Sequence, residues 1–207
     1  TLLQKGNNAI GVLLGNGFYN VQGGRYRKLL ISFGPPTVRL QLTIHYEDGT
    51  SQTVASDKTW KYDFSPVTFN CIYGGEDYDA RQEQKGWNMA KFNDTLWNQV
   101  VVQEGPKGVL RPQIAAPVAI MEHYSPISAT HLPDSLLAAA SKSTKRKVDA
   151  SAIVLDMGQN LAGFPEITVE GKRGQKITLL VGEKLTPQGA CDQRQTGRQH
   201  YYEYTLS

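Results

Sequence analysis

Three carboxylates stand close together in the middle of the chain, at Glu76, Asp77 and Asp79. If this segment is a strand, Asp77 and Asp79 share one of its faces, because side chains alternate along a strand. Carboxyl pairs on either side of a glycosidic bond can hydrolyse it, and carboxylate and amide oxygens are also the ligands that calcium prefers. We expect no catalysis by this cluster, but with Asn160 the three carboxylates are candidate metal ligands. The alternative is a structural ion-pair network of Glu76, Asp79 and Arg81.

The other reactive residue types show no arrangement that is typical of a catalytic or metal site. The four histidines are scattered, and the sequence contains no nucleophile elbow or phosphate-binding loop. Cys71 and Cys191 lie far apart and form neither a disulfide framework nor a CxxC site. We therefore expect two buried free thiols.

Composition and charge argue against two classes of partner. The chain has 207 residues, 40% of them hydrophobic and 20% charged, which is ordinary for a globular protein. The net charge is only +3, and much of the excess lies in a basic run at Lys142–Lys147 that we interpret as a solvated loop. No apolar run approaches the roughly 20 residues that cross a bilayer. We expect neither a nucleic-acid partner nor an association with a membrane.

Strand patterns dominate the elements that must position these residues. Apolar and polar residues alternate from Val38 to Glu47, Asp48 and Gly49 supply a tight turn, and Gln52 to Ala55 can return as a partner strand. A second hairpin is predicted from Glu166–Val169 and Lys176–Val181. Ala9–Leu14 is predicted to be a mostly buried strand.

Helical signal is sparse, and the only predicted helix is Asp134–Ser143. Four prolines between Gly105 and Pro126 indicate an extended linker into a new domain. The fold class is therefore all-β, with two tandem β-sandwich domains. We place the first at residues 1–115 and the second at residues 116–207, with a helical and basic insertion at about residues 131–149.

Several separated motifs carry a resemblance to one family. Asn8–Tyr19 (NAIGVLLGNGFY) resembles a segment of the N-terminal jelly roll of family 78 glycoside hydrolases, the bacterial α-L-rhamnosidases, although Phe18 stands where that family usually has tryptophan. Other stretches resemble the same module or the opening of the concanavalin-like sandwich that follows it; they are Asp57–Lys61, Tyr73–Arg81, Gly86–Asn88, Phe92–Trp97, Asp156–Gly163 and Gly182–Leu185. Their order matches the family over nearly the whole chain.

The resemblance implies a truncated jelly-roll, carbohydrate-binding-like module followed by a concanavalin-like accessory domain. In this family an (α/α)6 barrel after the two sandwiches hydrolyses the glycoside with inversion, and the chain stops at Ser207. We therefore expect this chain to be inactive alone and to hold L-rhamnose-containing oligo- or polysaccharide for the missing catalytic domain. The alternative is a purely structural scaffold that binds no sugar.

The resemblance also bears on cofactor, site and assembly. Some rhamnosidase jelly rolls bind L-rhamnose through calcium, so calcium is the expected cofactor. Sugar recognition needs an aromatic ring face and fixed polar groups, which makes Trp87, Asp79, Arg81 and Asn88 the candidate carbohydrate-binding residues. Trp87 is expected to be exposed, whereas four other aromatic residues are expected in a core: Trp60, Trp97, Phe18 and Tyr19.

We expect a bacterial parent that is periplasmic or secreted, and a homodimer formed through an exposed sheet edge.

Overall fold

The computed structural model describes residues 3–21, 23–25, 29–105, 109, 111–137, 152–194 and 199–207. The regular elements of these residues are almost all β-strands, which confirms the predicted all-β class. They form one four-stranded sheet and three two-stranded sheets. No helix in the described ranges is long and apolar enough to cross a bilayer.

The first hairpin joins β1 (Gln41–His45) to β2 (Ser51–Ala55) in antiparallel register. Gly49 supplies the turn with φ of +85°, a conformation that favours glycine. Every second side chain of β1 is half-buried, at Leu42 and Ile44, and Val54 is the half-buried residue of β2. The hairpin is as predicted, but its first strand is shorter than Val38–Glu47.

The four-stranded sheet has the order β4-β5-β10-β9. Its strands are β4 (Val67–Cys71), β5 (Gly75–Asp79), β9 (Lys176–Leu180) and β10 (Tyr201–Thr205). β4 and β5 pair antiparallel, whereas β10 runs parallel to β5. A parallel pair needs a long connection between its strands, and here more than a hundred residues separate them in the sequence.

The remaining strands are short. β3 (Lys61–Tyr62) pairs with β6 (Asn98–Gln99), and β7 (Ser128–His131) pairs with β8 (Ile153–Asp156). A small core forms beside β7 around Leu132 and Ala190, with four partly buried residues packed on it: Leu136, Leu137, Ala152 and Val154.

Two predicted strands are not strands in the structure. Ala9–Leu14 is not a strand, and Leu13 is 64% exposed. Glu166–Val169 is not a strand either, and β9 pairs with β10 instead. Strand propensity expresses how well side chains fit a half-buried sheet surface, and within the described ranges neither segment has a ladder partner. Residues 134–137 are helical, while the rest of the predicted helix and the basic run lie outside the described residues.

Two compact units emerge from the backbone contacts. Unit 1 comprises Thr1–Val102, Glu170–Leu179 and His200–Ser207, and unit 2 comprises Gln103–Val169 and Leu180–Gln199. Unit 1 therefore includes most of β9 and all of β10, which come from the C-terminal part of the chain. The division of the chain into residues 1–115 and 116–207 stays a prediction.

Candidate functional site

The site lies in unit 1, where β5 and β10 run side by side. In their parallel register Glu76 pairs with Tyr202, and Tyr78 pairs with Tyr204. Because side chains alternate along a strand, these four residues share one face of the sheet, which we call the cleft face. Asp77 and Asp79 share the opposite face, as the sequence predicted for a strand at this position.

Arg25 neutralises Asp77 on that opposite face. Its guanidinium forms an ion pair with the Asp77 carboxylate, and its side chain is only 8% exposed. The guanidinium also lies over two aromatic rings, at 4.2 Å from the centroid of Phe69 and 3.5 Å from that of Tyr201. Nη1 donates to the carbonyl oxygen of Tyr201 at 3.0 Å. One buried cation thereby ties the segment before β1 to strands β4, β5 and β10.

Arg81 neutralises Asp79 in the same way, two residues further along the chain. Its Nε and Nη2 atoms donate to the two carboxylate oxygens at 2.8 and 2.7 Å, a bidentate ion pair. These hydrogen bonds hold the pKa of Asp79 well below its usual range. Of the predicted ion-pair network, the Asp79–Arg81 pair is present. Glu76 takes no part in it, because it points to the cleft face.

The cleft face borders an open cleft of about 240 Å³. It is lined by Gly17, Asn70, Cys71, Ile72, Gly75, Glu76, His200 and Tyr202. The segment Asn8–Tyr19 builds one wall of the cleft. The backbone nitrogen of Asn16 donates to Oδ1 of Asn70 at 2.9 Å. The Glu76 side chain makes no hydrogen bond or ion pair with any residue that the structure describes.

The titratable groups of the cleft have shifted pKa values. Partial desolvation beside the sheet and the neighbouring charge of Asp77 raise the pKa of Glu76. Burial and the positive charge of Arg25 lower the pKa of His200, which therefore favours the neutral imidazole at neutral pH. The His200 Nε2 atom lies 3.3 Å from the Tyr202 hydroxyl. The cleft thus combines an anionic acceptor, a neutral imidazole and an aromatic ring, a set that suits a hydroxyl-rich ligand.

Two further tyrosines extend the cleft face along the strands. The rings of Tyr78 and Tyr204 are nearly parallel, at 8° with centroids 5.5 Å apart. The Tyr78 hydroxyl donates to Glu83 at 2.8 Å, and burial, with this hydrogen bond to Glu83, raises the pKa of Tyr78 to about 12. Among the described residues, Tyr204 finds no hydrogen-bond partner for its hydroxyl.

The candidate carbohydrate-binding residues are placed differently from one another. Trp87, expected to be exposed, is half-buried, and its ring packs so closely on Gly11 that a Cβ atom there would lie 2.4 Å from the indole. Asn88 is exposed in the same turn. Asp79 and Arg81 are brought together, but their charged groups bind each other. A role of these four residues in sugar binding stays a prediction.

The other aromatic candidates have structural contacts. Trp60 and Trp97 are half-buried, and the Trp97 indole nitrogen donates to Gln84 at 2.8 Å. Phe18 and Tyr19, expected in a core, are exposed. Phe18 meets Tyr73 edge-on, with centroids 5.9 Å apart. Neither cysteine is in a disulfide; Cys71 is buried, as expected, whereas Cys191 is only half-buried.

The candidate metal ligands do not form one cluster in this conformation. Glu76 lies on the cleft face, Asp77 and Asp79 lie on the other face with an arginine each, and Asn160 belongs to unit 2. No group of three or more histidine, cysteine or acidic residues in the described part of the chain could hold a metal ion. Calcium would have to displace both guanidinium groups to use both aspartates, so calcium binding stays a prediction that chelation can test.

Sequence reasoning missed His200, Tyr202 and Tyr204 as site residues. A signal was present, because Tyr202 and Tyr204 alternate with Glu203 near the end of the chain, as a strand requires. What the sequence did not indicate was the partner of that strand, since a parallel pairing with β5 brings together residues far apart in the chain.

Comparison with known proteins identifies both parts of the chain. Residues 1–122 match the family model of the alpha-L-rhamnosidase N-terminal domain, and residues 146–207 match that of the bacterial alpha-L-rhamnosidase concanavalin-like domain. The concanavalin-like match agrees with the predicted β-sandwich architecture. The jelly-roll topology of the first domain stays a prediction.

Relatives and solved structures agree with these matches. An alpha-L-rhamnosidase of Formosa agariphila is 35% identical over 193 residues, an alignment that covers 90% of this chain and 18% of the relative. The alpha-L-rhamnosidase structure from Dictyoglumus thermophilum superposes with a TM-score of 0.73 at 28% identity and covers 94% of this chain and 20% of that one. A Streptomyces avermitilis alpha-L-rhamnosidase structure, complexed with L-rhamnose, gives 0.65 at 28% identity over 80% of this chain and 15% of that one.

The chain therefore spans about a fifth of the length of these relatives or less. The motif resemblance in the sequence is confirmed by both family models. The chain belongs to the bacterial α-L-rhamnosidase family and carries its N-terminal and concanavalin-like domains.

Proposed function

We propose that this chain is the accessory region of an α-L-rhamnosidase and that it binds a rhamnose-containing glycan in the cleft that borders the cleft face of β5 and β10. The observation that carries the proposal is Glu76, an acidic side chain at the cleft without a partner among the described residues. Its two acidic neighbours on β5 are both neutralised by arginines. A carboxylate left in this state, beside a tyrosine ring, is suited to accept hydroxyl hydrogen bonds.

The composition of the cleft supports a sugar better than a charged or purely apolar ligand. Sugars present hydroxyl donors to carboxylates and an apolar ring face to aromatic side chains. Glu76 and Tyr202 are neighbours in the β-register, so one ring can contact both. A phosphate or carboxylate ligand would meet the negative charge of Glu76. The relative from Streptomyces avermitilis, crystallised with L-rhamnose, supports rhamnose as the first sugar to test.

The proposed role is to hold substrate for hydrolysis by the part of the relatives that this chain does not include. Binding of this kind raises the local substrate concentration and does not lower the chemical barrier. A single sugar in an open cleft is bound weakly, and we expect a Kd for L-rhamnose of roughly 1 mM.

Isothermal titration with L-rhamnose tests the proposal on the full 207-residue chain. We expect saturable binding that Glu76→Gln weakens by about tenfold, because hydrogen bonds to a charged acceptor contribute roughly 1.5–3 kcal/mol. Glu47→Gln, at an exposed glutamate after β1, is the matched control and leaves the affinity unchanged. Repeating the titration with calcium and then with chelator tests calcium dependence separately. The absence of binding by the folded chain would refute the proposal.

A scaffold without sugar binding is the second candidate, and one observation favours it. Three of the residues expected to contact sugar make internal contacts instead, namely Asp79, Arg81 and Trp87. In this function the sheet would brace the rest of the parent protein, or pair two copies through its edge strands β4 and β9. Light scattering distinguishes these two scaffold roles. Pairing of two copies doubles the mass in solution, whereas support of other domains of the same parent protein leaves this chain a monomer.

A further inference from the structure

We propose that the cleft face binds an oligosaccharide of at least two sugar rings, one at Glu76 and Tyr202 and the next at Tyr78 and Tyr204. The inference rests on the proposed function and names its ligand class. The two tyrosine-containing pairs occupy successive positions on one face of neighbouring parallel strands. A second contact point therefore lies in line with the first.

The spacing of the two pairs suits adjacent sugar units. Residues two apart on a strand are separated by about 6.6 Å along it, which is comparable to the advance of one pyranose ring with its glycosidic oxygen. An oligosaccharide that lies along β10 from Tyr202 to Tyr204 thus presents one sugar ring to each pair of residues. A single rhamnose reaches only one of them.

The second pair, Tyr78 and Tyr204, is fixed in position and retains a hydroxyl group that can bind a ligand. The Tyr78 ring is fixed at its hydroxyl by Glu83 and along its side by the parallel ring of Tyr204. Rings fixed in this way lose little conformational freedom on binding. Tyr204 supplies a phenol hydroxyl that is without a described hydrogen-bond partner. The pair therefore resembles the first contact point, with an apolar wall beside a polar group.

The pair keeps accessible surface that a ligand can contact. Tyr78 and Tyr204 are both only partly buried, and the Tyr78 hydroxyl is already bound to Glu83. The Tyr204 hydroxyl has no partner among the described residues, so it is available to a sugar hydroxyl on the second ring.

Titration of the full chain with two ligands tests the proposal: L-rhamnose, and a disaccharide in which L-rhamnose is linked to glucose. We expect the disaccharide to bind about twofold to tenfold tighter, because its second ring adds an aromatic contact. Tyr204→Leu keeps an apolar side chain and is expected to remove that gain while the affinity for L-rhamnose stays the same. Tyr204→Phe retains the ring stack and is expected to lose part of the gain.

Phe64→Leu is the matched control, because Phe64 is 78% exposed and lies outside the four-stranded sheet. It should change neither affinity. Equal affinities for the two ligands in the unaltered chain would overturn the proposal and leave the proposed function standing, as would a loss in Tyr204→Leu that is the same for both. If neither ligand binds, the proposed function fails and this inference fails with it.

Discussion

Gly75 lies so close to Tyr201 that a Cβ atom on the glycine would stand 1.9 Å from the Tyr201 carbonyl oxygen. The two residues are register partners at the first position of the parallel β5–β10 pair. The backbone of Gly75 also has φ of +87°, which side chains rarely adopt. The pairing that creates the cleft face therefore depends on the absence of a side chain at this residue.

Gly75→Ala should consequently separate β10 from β5. We expect a loss of more than about 3 kcal/mol in the free energy of unfolding, since backbone strain adds to a steric clash with backbone atoms. Gly86→Ala is the control, because Gly86 has a similar φ of +81° but open space around it. It should cost only about 1–2 kcal/mol, as for other side chains at positive φ. Urea titration measures both, and equal losses would contradict the close approach.

Arg25 should be essential to the stability of unit 1. Arg25→Met removes the cation from Asp77 and the donor from the Tyr201 carbonyl, and we expect a loss of about 3 kcal/mol, as for other half-broken buried ion pairs. Arg39→Met makes the same substitution at an exposed arginine and should change stability by less than about 0.5 kcal/mol. Similar urea midpoints for the two variants would show that the Arg25 contacts contribute little.

Glu76 is expected to oppose folding at neutral pH. Its pKa in the folded protein is raised, so the stability linked to this group is present below its unfolded pKa and is lost as the pH rises through the folded value. Glu76→Gln should therefore raise the thermal midpoint at pH 7, by a small amount because the side chain is largely exposed.

The advantage of Glu76→Gln should disappear near pH 4, where the native glutamate is itself protonated. Glu47→Gln, the same substitution at an exposed glutamate after β1, is the matched control. Scanning calorimetry at the two pH values measures the effect. A variant less stable than the unaltered chain at pH 7 would show that the carboxylate makes a stabilising contact.

Gly11 and Trp87 should be coupled. Gly11→Ala places a methyl group in the Trp87 ring, and overpacking of this kind costs roughly 1–3 kcal/mol. Trp87→Phe in the same chain should recover much of that loss by making room. Gly105→Ala, in open space, should have little effect. Strictly additive effects of the first two substitutions in a double-mutant cycle would contradict the contact.

The sequence indicated the parts of the fold that depend on local pattern. The β1–β2 hairpin follows from alternation before Asp48 and Gly49. Asp77 and Asp79 share a face of β5, as expected if their segment was a strand. Ala9–Leu14 has a similar apolar character but no ladder partner among the described residues, and it is not a strand. Local propensity was a poor guide where pairing decides the structure.

The candidate site was indicated only in part for the same reason. The carboxylates of β5 were identified from their types and spacing, but Arg25, which neutralises Asp77, is about fifty residues away in the chain. His200 and Tyr202 are further still and reach the cleft only through the parallel pairing of β10. No single sequence pattern connects these residues. The sequence therefore could not show that Asp77 and Asp79 each pair with an arginine whereas Glu76 does not.

Mapping of ligand contacts by NMR tests the central claim most directly. Backbone amide signals of the isotope-labelled full chain would be followed during titration with the rhamnose-containing disaccharide. We predict saturable shifts at Glu76, Tyr202 and Tyr204 and none at Tyr46, an exposed tyrosine beside the β1–β2 turn and outside the four-stranded sheet. Shifts that cluster instead at Trp87 and Asn88, or no shifts at all, would contradict a sugar site on the cleft face.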